Sequence, residues 1–149
     1  MSPSDPAERI VREARAAFGV RRAALFLLDA AAGTLTCVAT AGEGEAERWV
    51  GRTLRVGVGM AGRAVAEGRP VWAPDLLADP ATPLADWLRE RLEAEGLRSV
   101  VAAPLRAVGA TLGALGLLDA AGRTFAEEDL RRLLALADQA AATLQAARP

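Results

Sequence analysis

Hydrophobic positions keep helical spacing at the two ends of this chain and strand-like spacing between them. Near the N-terminus Ile10, Val11, Ala14, Ala17 and Phe18 form one apolar stripe, which predicts a helix within residues 1–19. Asp5 is placed to cap it, Pro6 to take its first position and Glu8 to complete a capping box. Gly19 suits the left-handed turn that ends it. RRAALFLLD, residues 21–29, is too short for a typical helix and reads as a buried strand. Thr34 to Ala41 alternates, with Leu35, Cys37 and Ala39 on one face, and pairs with the preceding run across the turn DAAAGT. A polar loop or short helix carries Trp49, and Thr53 to Val56 is a short strand. Leu84, Trp87, Leu88 and Leu92 line one side of an amphipathic helix that Gly96 ends. Ser99 to Leu105 and Thr111 to Leu118 read as two strands around a tight turn. Thr124, with Glu127 three residues on, predicts the start of a long helix over 124–148, striped by Leu130, Leu133, Leu134, Ala137, Ala140, Ala141 and Leu144. No repeat or linker divides the chain, so residues 1–149 are expected to form a single domain, with sheet and connecting segments over 20–122.

One stretch raises a choice. GVGMAGRAVAEGRPVWAPD fits G-x-G-x-x-G at Gly57, Gly59 and Gly62, follows a strand and leads to Asp75, as a dinucleotide-binding fingerprint would. Against an NAD-binding oxidoreductase, the preceding strand carries Arg55, where a central parallel strand is apolar throughout. The helix from Met60 to Glu67 is about two turns long, short for a crossover. The remaining strands pair as hairpins. The local reading is that Gly57 and Gly59 turn the chain out of a strand, Gly62 lets a short helix approach the sheet, and Gly68 stops it.

Composition narrows the chemistry. At 52% hydrophobic residues the chain is globular, and its apolar runs are broken before they reach membrane-spanning length. The N-terminal MSPSDPAERI has no apolar core of a secretory signal, so a cytoplasmic location is expected. A formal net charge of −1, with bases and acids interspersed, gives no footprint for nucleic acid. Every basic side chain is arginine, and His, Lys, Tyr and Asn are absent, a usage consistent with a GC-rich bacterial genome. Without His there is no imidazole base, no histidine-ligated metal or haem and no Ser-His-Asp triad. Without Lys there is no Walker-type loop or Schiff base. The lone Cys37 makes no intrachain disulfide and no thiolate metal site.

The order of motifs along the chain resembles the GAF domain family. The stretch GVGMAGRAVAEGRPV is similar to the family's central motif, and RRAALFLLD with GTLTCVATAG to its opening hairpin. PVWAPDLLADP is similar to the strand and loop that follow. LRSVVAAPLRAVGATLGALGLLDAAGRTFAEEDL and the long helix after it resemble the family's ending. The resemblance covers almost the whole chain. It implies an α+β fold: a central antiparallel sheet of about six strands, N- and C-terminal helices on one face, and short helices and loops roofing a pocket on the other. It further implies a sensory or regulatory module in signal transduction that binds a small molecule and signals through a helical homodimer interface. A kinase, cyclase or transcription regulator, fused or separate, would be its output. The alternative within the family is a connector that dimerises and binds nothing. Haem and bilin members need His, cyclic-nucleotide members a motif with Asn and Lys, and free methionine sulfoxide reductases several cysteines. None of these is met, so no cofactor and no enzymatic activity are expected.

On that resemblance, the ligand site is expected at Trp49, Met60, Trp72, Asp75, Trp87 and Arg98. The three tryptophans supply aromatic area and Asp75 a polar handle. Asp75 serves equally as a loop cap, and the tryptophans as core over the sheet. The amides from Gly59 to Gly62, with Arg63 or Arg98, could receive an anion. A dimer interface is expected along Ile10, Leu136, Ala140 and Ala147, a second apolar flank on helices of which the last would run about 35 Å. A chain that ends within a long helix points to a piece cut from a larger protein.

Overall fold

In the computed structural model, which describes residues 4–147, the apolar strand runs build one sheet and the two terminal stripes become helices on one side of it. The N-terminal helix α1 (Ser4–Phe18) leads into β1 (Arg22–Asp29) and β2 (Thr34–Gly42). A 3-10 turn at Ala46–Arg48 precedes β3 (Thr53–Arg55), and α2 (Gly59–Glu67) and β4 (Val71–Ala73) follow. After a second 3-10 turn at Leu76–Ala78 come α3 (Asp86–Glu95), β5 (Ser99–Ala107), β6 (Ala110–Asp119) and α4 (Glu127–Ala146). The six strands lie in the order β3-β2-β1-β6-β5-β4, and every neighbouring pair is antiparallel. This all-antiparallel pairing excludes the parallel βαβ unit of a dinucleotide site. No helix among the described residues is long and apolar enough to cross a membrane.

Both faces of the sheet are apolar. On one, Ala23, Leu25, Val101, Ala103, Leu115 and Leu117 pack against Ile10, Val11, Ala14 and Phe18 of α1 and against Leu133, Ala137, Ala140, Ala141 and Leu144 of α4. On the other, Ala24, Phe26, Val100, Ala102, Ala114 and Leu118 meet α2, α3 and the 3-10 turns, which together form a roof.

Strand β2 serves both layers. Its register against β1 skips Val38, since Leu25 pairs with Ala39 and Phe26 with Cys37. This bulge reverses the alternation: Leu35 and Cys37 face the roof, while Ala39 faces the terminal helices. The expectation that all three share one face fails for that reason. Two helix starts also differ from the sequence reading. Helix α1 begins at Ser4, so Asp5 lies inside it. Helix α4 begins at Glu127, where Asp129 Oδ2, and not Thr124, accepts from the Ala126 amide at 2.8 Å. At 20 residues α4 spans about 30 Å, somewhat less than expected.

The glycine-rich stretch is explained by close packing. Gly57 has φ 92°, and its amide donates to Gly62 O at 2.9 Å, folding the exit from β3 onto α2. A Cβ on Gly62 would lie 2.6 Å from Arg55 O, a backbone atom that cannot move aside alone. Gly62→Ala is therefore expected to lower stability by about 1–3 kcal/mol, an overpacking cost. Gly68 ends α2 at φ 68° with open space around it, so Gly68→Ala costs about 1–2 kcal/mol of left-handed strain alone. Urea denaturation of Gly62→Ala checks the first value. An unchanged midpoint would contradict the close approach.

Candidate ligand site

The roof closes over the middle of the sheet. Phe26 of β1, Leu54 of β3, Val100 and Ala102 of β5, and Gly116 and Leu118 of β6 form the floor. Trp49, Met60 and Ala61 of α2, Leu76, and Leu88 of α3 form the cover. They enclose a cavity of about 20 Å³, room for about one water, with no charged side chain in its wall.

Trp49 is 1% exposed and is the hub of the cover. Its ring meets Trp87 edge-on at 5.6 Å, and its Nε1 donates to Glu95 Oε2 at 2.8 Å. Glu95 Oε1 in turn accepts from Arg22 Nε at 2.7 Å. Arg22 opens β1, is also 1% exposed, and holds its guanidinium 5.2 Å over the Trp49 ring. It donates further to Thr40 Oγ1 at 2.9 Å and to the Glu43 carbonyl at 2.6 Å. A buried charge is thus satisfied on three sides. This network joins the start of β1, the end of β2, the Trp49 turn and the last residue of α3. Sequence reasoning passed over Arg22 and Glu95, because an arginine at a strand's edge and a glutamate at a helix's end both look solvated. The only hint was a charge directly abutting the run Ala23 to Leu28.

The expected site residues divide. Trp49 and Met60 line the cavity. Trp87 stands behind Trp49, half-buried, its Nε1 donating to Thr53 O at 2.7 Å. Trp72 is on the opposite face: Val71 and Ala73 point to the roof, so alternation turns Trp72 toward the terminal helices. There it donates to Ser99 Oγ at 3.0 Å and meets Phe125 edge-on at 6.3 Å. Asp75 caps the second 3-10 turn, Oδ1 accepting from Leu77 N at 3.1 Å. Arg98 donates to Leu92 O at 2.8 Å and Leu97 O at 2.9 Å, closing the C-terminal end of α3. Arg63 pairs with Glu67 at 2.6 Å and reaches Thr82 at 3.3 Å, tying α2 to the loop before α3. The Gly59 amide donates to Pro83 O at 2.7 Å, so it is not turned toward an anion. Trp72, Asp75 and Arg98 therefore act in the scaffold and do not line the cavity.

The expected interface flank changes too. Ile10 and Ala140 are buried in the chain's own core, and Leu136 is half-buried against it. Of the four residues, Ala147 alone is exposed. Ile10 and Ala140 sit on the stripes that face the sheet: Ile10 beside Val11 and Ala14, and Ala140 one turn from Ala137 and Leu144, all in the same core.

A profile of the GAF domain matches residues 2–144. The chain belongs to the GAF domain family. Solved structures agree on the fold. The second GAF domain of DevS from Mycobacterium smegmatis superposes with TM-score 0.77 at 25% identity, over 98% of this chain and 95% of that one. A domain of a putative two-component sensor histidine kinase from Sinorhizobium meliloti 1021 gives 0.69 at 20%, over 93% and 88%. Free methionine-R-sulfoxide reductase from Neisseria meningitidis, solved with its substrate, gives 0.73 at 23%, over 97% and 81%. No curated protein sequence matches the chain. GAF domains are in general regulatory modules of signalling proteins, and this one has the family's sheet, terminal helices and roof.

Cys37 lies on the roof side of β2, buried, its Sγ donating weakly to Ala39 O at 3.6 Å. Burial pushes its thiol from near 9 up to about 12. The fold therefore favours the protonated thiol, and the stability this represents is complete below pH ~9 and is lost as pH rises toward 12. The chain has no Lys, Tyr or His, so few other groups titrate in that window. Thermal melts from pH 8 to 11 are expected to show stability falling above pH ~9 in the wild type and a flatter profile in Cys37→Ala.

The Arg22–Glu95 pair gives a second expectation. Glu95→Ala leaves Arg22 without its counter-charge and is expected to cost about 3–5 kcal/mol. Arg22→Met with Glu95→Leu should recover most of it, as measured by urea denaturation.

Proposed function

We propose that this chain is a GAF-type sensory module of a signalling protein, taking a small molecule beneath its roof and signalling through α1 and α4. The observation that carries this reading is the cavity between Trp49, Met60, Leu88 and the sheet. It is walled by apolar side chains from four strands and several roof segments, so occupancy would bear on nearly every element at once. A ligand shifts the domain only as far as it binds one arrangement better than another. The buried thiol of Cys37 and the absence of His, Lys and Tyr support a regulatory and non-catalytic role, without haem, bilin or metal. A kinase, cyclase or transcription regulator is the proposed output and the cytoplasm the proposed compartment.

The second reading, a connector that binds nothing, is favoured by the size of the cavity, about 20 Å³. Native mass spectrometry of the protein as purified separates the two. The sensory reading expects an adduct that leaves on denaturation, and a spectrum free of adduct favours the connector.

Both readings use a homodimer. With Ile10 and Ala140 internal, the exposed strip Ala135, Gln139, Ala142 and Ala146 on α4 is the surface left for helix pairing. Ala142→Glu is expected to give monomers in sedimentation velocity without loss of fold. A dimer that persists would move the interface elsewhere.

A further inference from the structure

The cavity wall contains no group that could pair with a charge, and the polar network beside it is fully occupied with itself. A charged ligand would lose its hydration beneath the roof with nothing to replace it, at a cost that excludes binding. An uncharged apolar one would meet Trp49, Met60, Leu54 and Leu88, and Met60 can refit around it. At about 20 Å³ the closed cavity is smaller than such a molecule, so part of its wall must move.

The parts differ in how they are held. Of the floor strands, β1, β6 and β5 have a neighbouring strand on each side, while β3 is an edge strand paired with β2 alone. Helix α2 is locked to the exit of β3 by the Gly57–Gly62 contact and the tight fit of Gly62 on Arg55 O. Helix α3 rests on Leu88 and Leu92, follows an irregular stretch, and is fastened in its first turn by Trp87 Nε1 to Thr53 O and at its end through Glu95. The fastening at Glu95 is asymmetric. Two of the bonds from Arg22 go to the β2 side, to Thr40 and Glu43, and one goes to the roof, to Glu95. Glu95 is 17% exposed against 1% for Arg22, so on release the carboxylate can hydrate while the arginine keeps its other partners. Trp49 is both a wall of the cavity and a donor to Glu95. Anything that displaces its ring therefore acts on the fastening directly. A buried ion pair of this kind adds little net stability over apolar packing, and fixing one of two arrangements is its best attested use.

Resting on the sensory reading above, we propose that the cavity admits a small, uncharged, apolar ligand and that the Trp49–Glu95–Arg22 contacts are the latch that releases for it. Release acts at the start of β1, next to the end of α1, where Arg15 Nε donates to Arg21 O at 3.0 Å and Arg21 Nη1 reaches Glu95 O at 3.5 Å. The latch thus joins the roof to a terminal helix.

The test uses toluene and its charged near-isostere benzoate as probes, with thermal denaturation and tryptophan fluorescence as readouts. The proteins are the wild type, Glu95→Gln and Trp49→Phe. Toluene is expected to raise the melting temperature saturably and to bind roughly tenfold tighter once either variant loosens the latch, because the open form is then more populated. Benzoate is expected to do neither. Trp49→Phe removes the indole donor together with part of the cavity wall, so its tighter toluene binding counts for the latch only where a variant with an intact wall shows it too: Glu95→Gln, or Arg22→Met with Glu95→Leu if Glu95→Gln does not fold. Benzoate binding as well as toluene would overturn the ligand class and leave the site standing. Equal toluene affinity in the wild type and the variant with an intact wall would overturn the latch. No response to toluene in any protein, with an adduct still seen in the native mass spectrum, would overturn the inference and leave the sensory reading intact.

Discussion

The architecture follows from a sheet that is apolar on both faces and so must be covered twice. One cover is simple. Helices α1 and α4 present long stripes and bury Phe18, Leu133 and Leu144 against it. The other is assembled from two short helices and two 3-10 turns, none with enough apolar face to dock firmly alone. It is held by particular contacts instead: a glycine pressed on a carbonyl, two indoles meeting edge-on, and a buried guanidinium answered by one carboxylate. The side of the domain proposed to receive a molecule is therefore also the side held by few, separable ties.

That difference explains what could be read from the sequence. The terminal helices, the two hairpins and the sheet were legible because each rests on periodicity, which the backbone imposes and side chains report directly. The family resemblance supplied the layering. The failures were matters of facing. Trp72 stands between Val71 and Ala73, all three apolar, so alternation alone does not say which face the ring takes. The bulge at Val38 reverses the second half of β2 through one extra residue, and nothing in TLTCVATAG marks it. Ala140 fits both the core stripe and the second flank by spacing, and the fold puts it in the core.

At the candidate site, Trp49 and Met60 were legible as bulky apolar residues in the connecting segments. Arg22 and Glu95 were not. They are 73 positions apart, and what makes them important is mutual burial, a property of the folded chain. Asp75 and Arg98 show the reverse error: polar residues near the roof that satisfy backbone groups in caps. Polar side chains in short connections most often complete the backbone's own hydrogen bonding, and the roof of this domain uses several in that way.

The two edge strands, β3 and β4, are three residues long each, and β3 points Arg55 into solvent. Each edge strand offers a neighbouring chain only three residues of backbone to continue. Several copies of this domain can therefore be held at high local concentration, tethered along one polypeptide or gathered in one assembly, without their sheets fusing edge to edge. Association is left to surfaces whose contacts can be made and unmade, as reversible regulation requires.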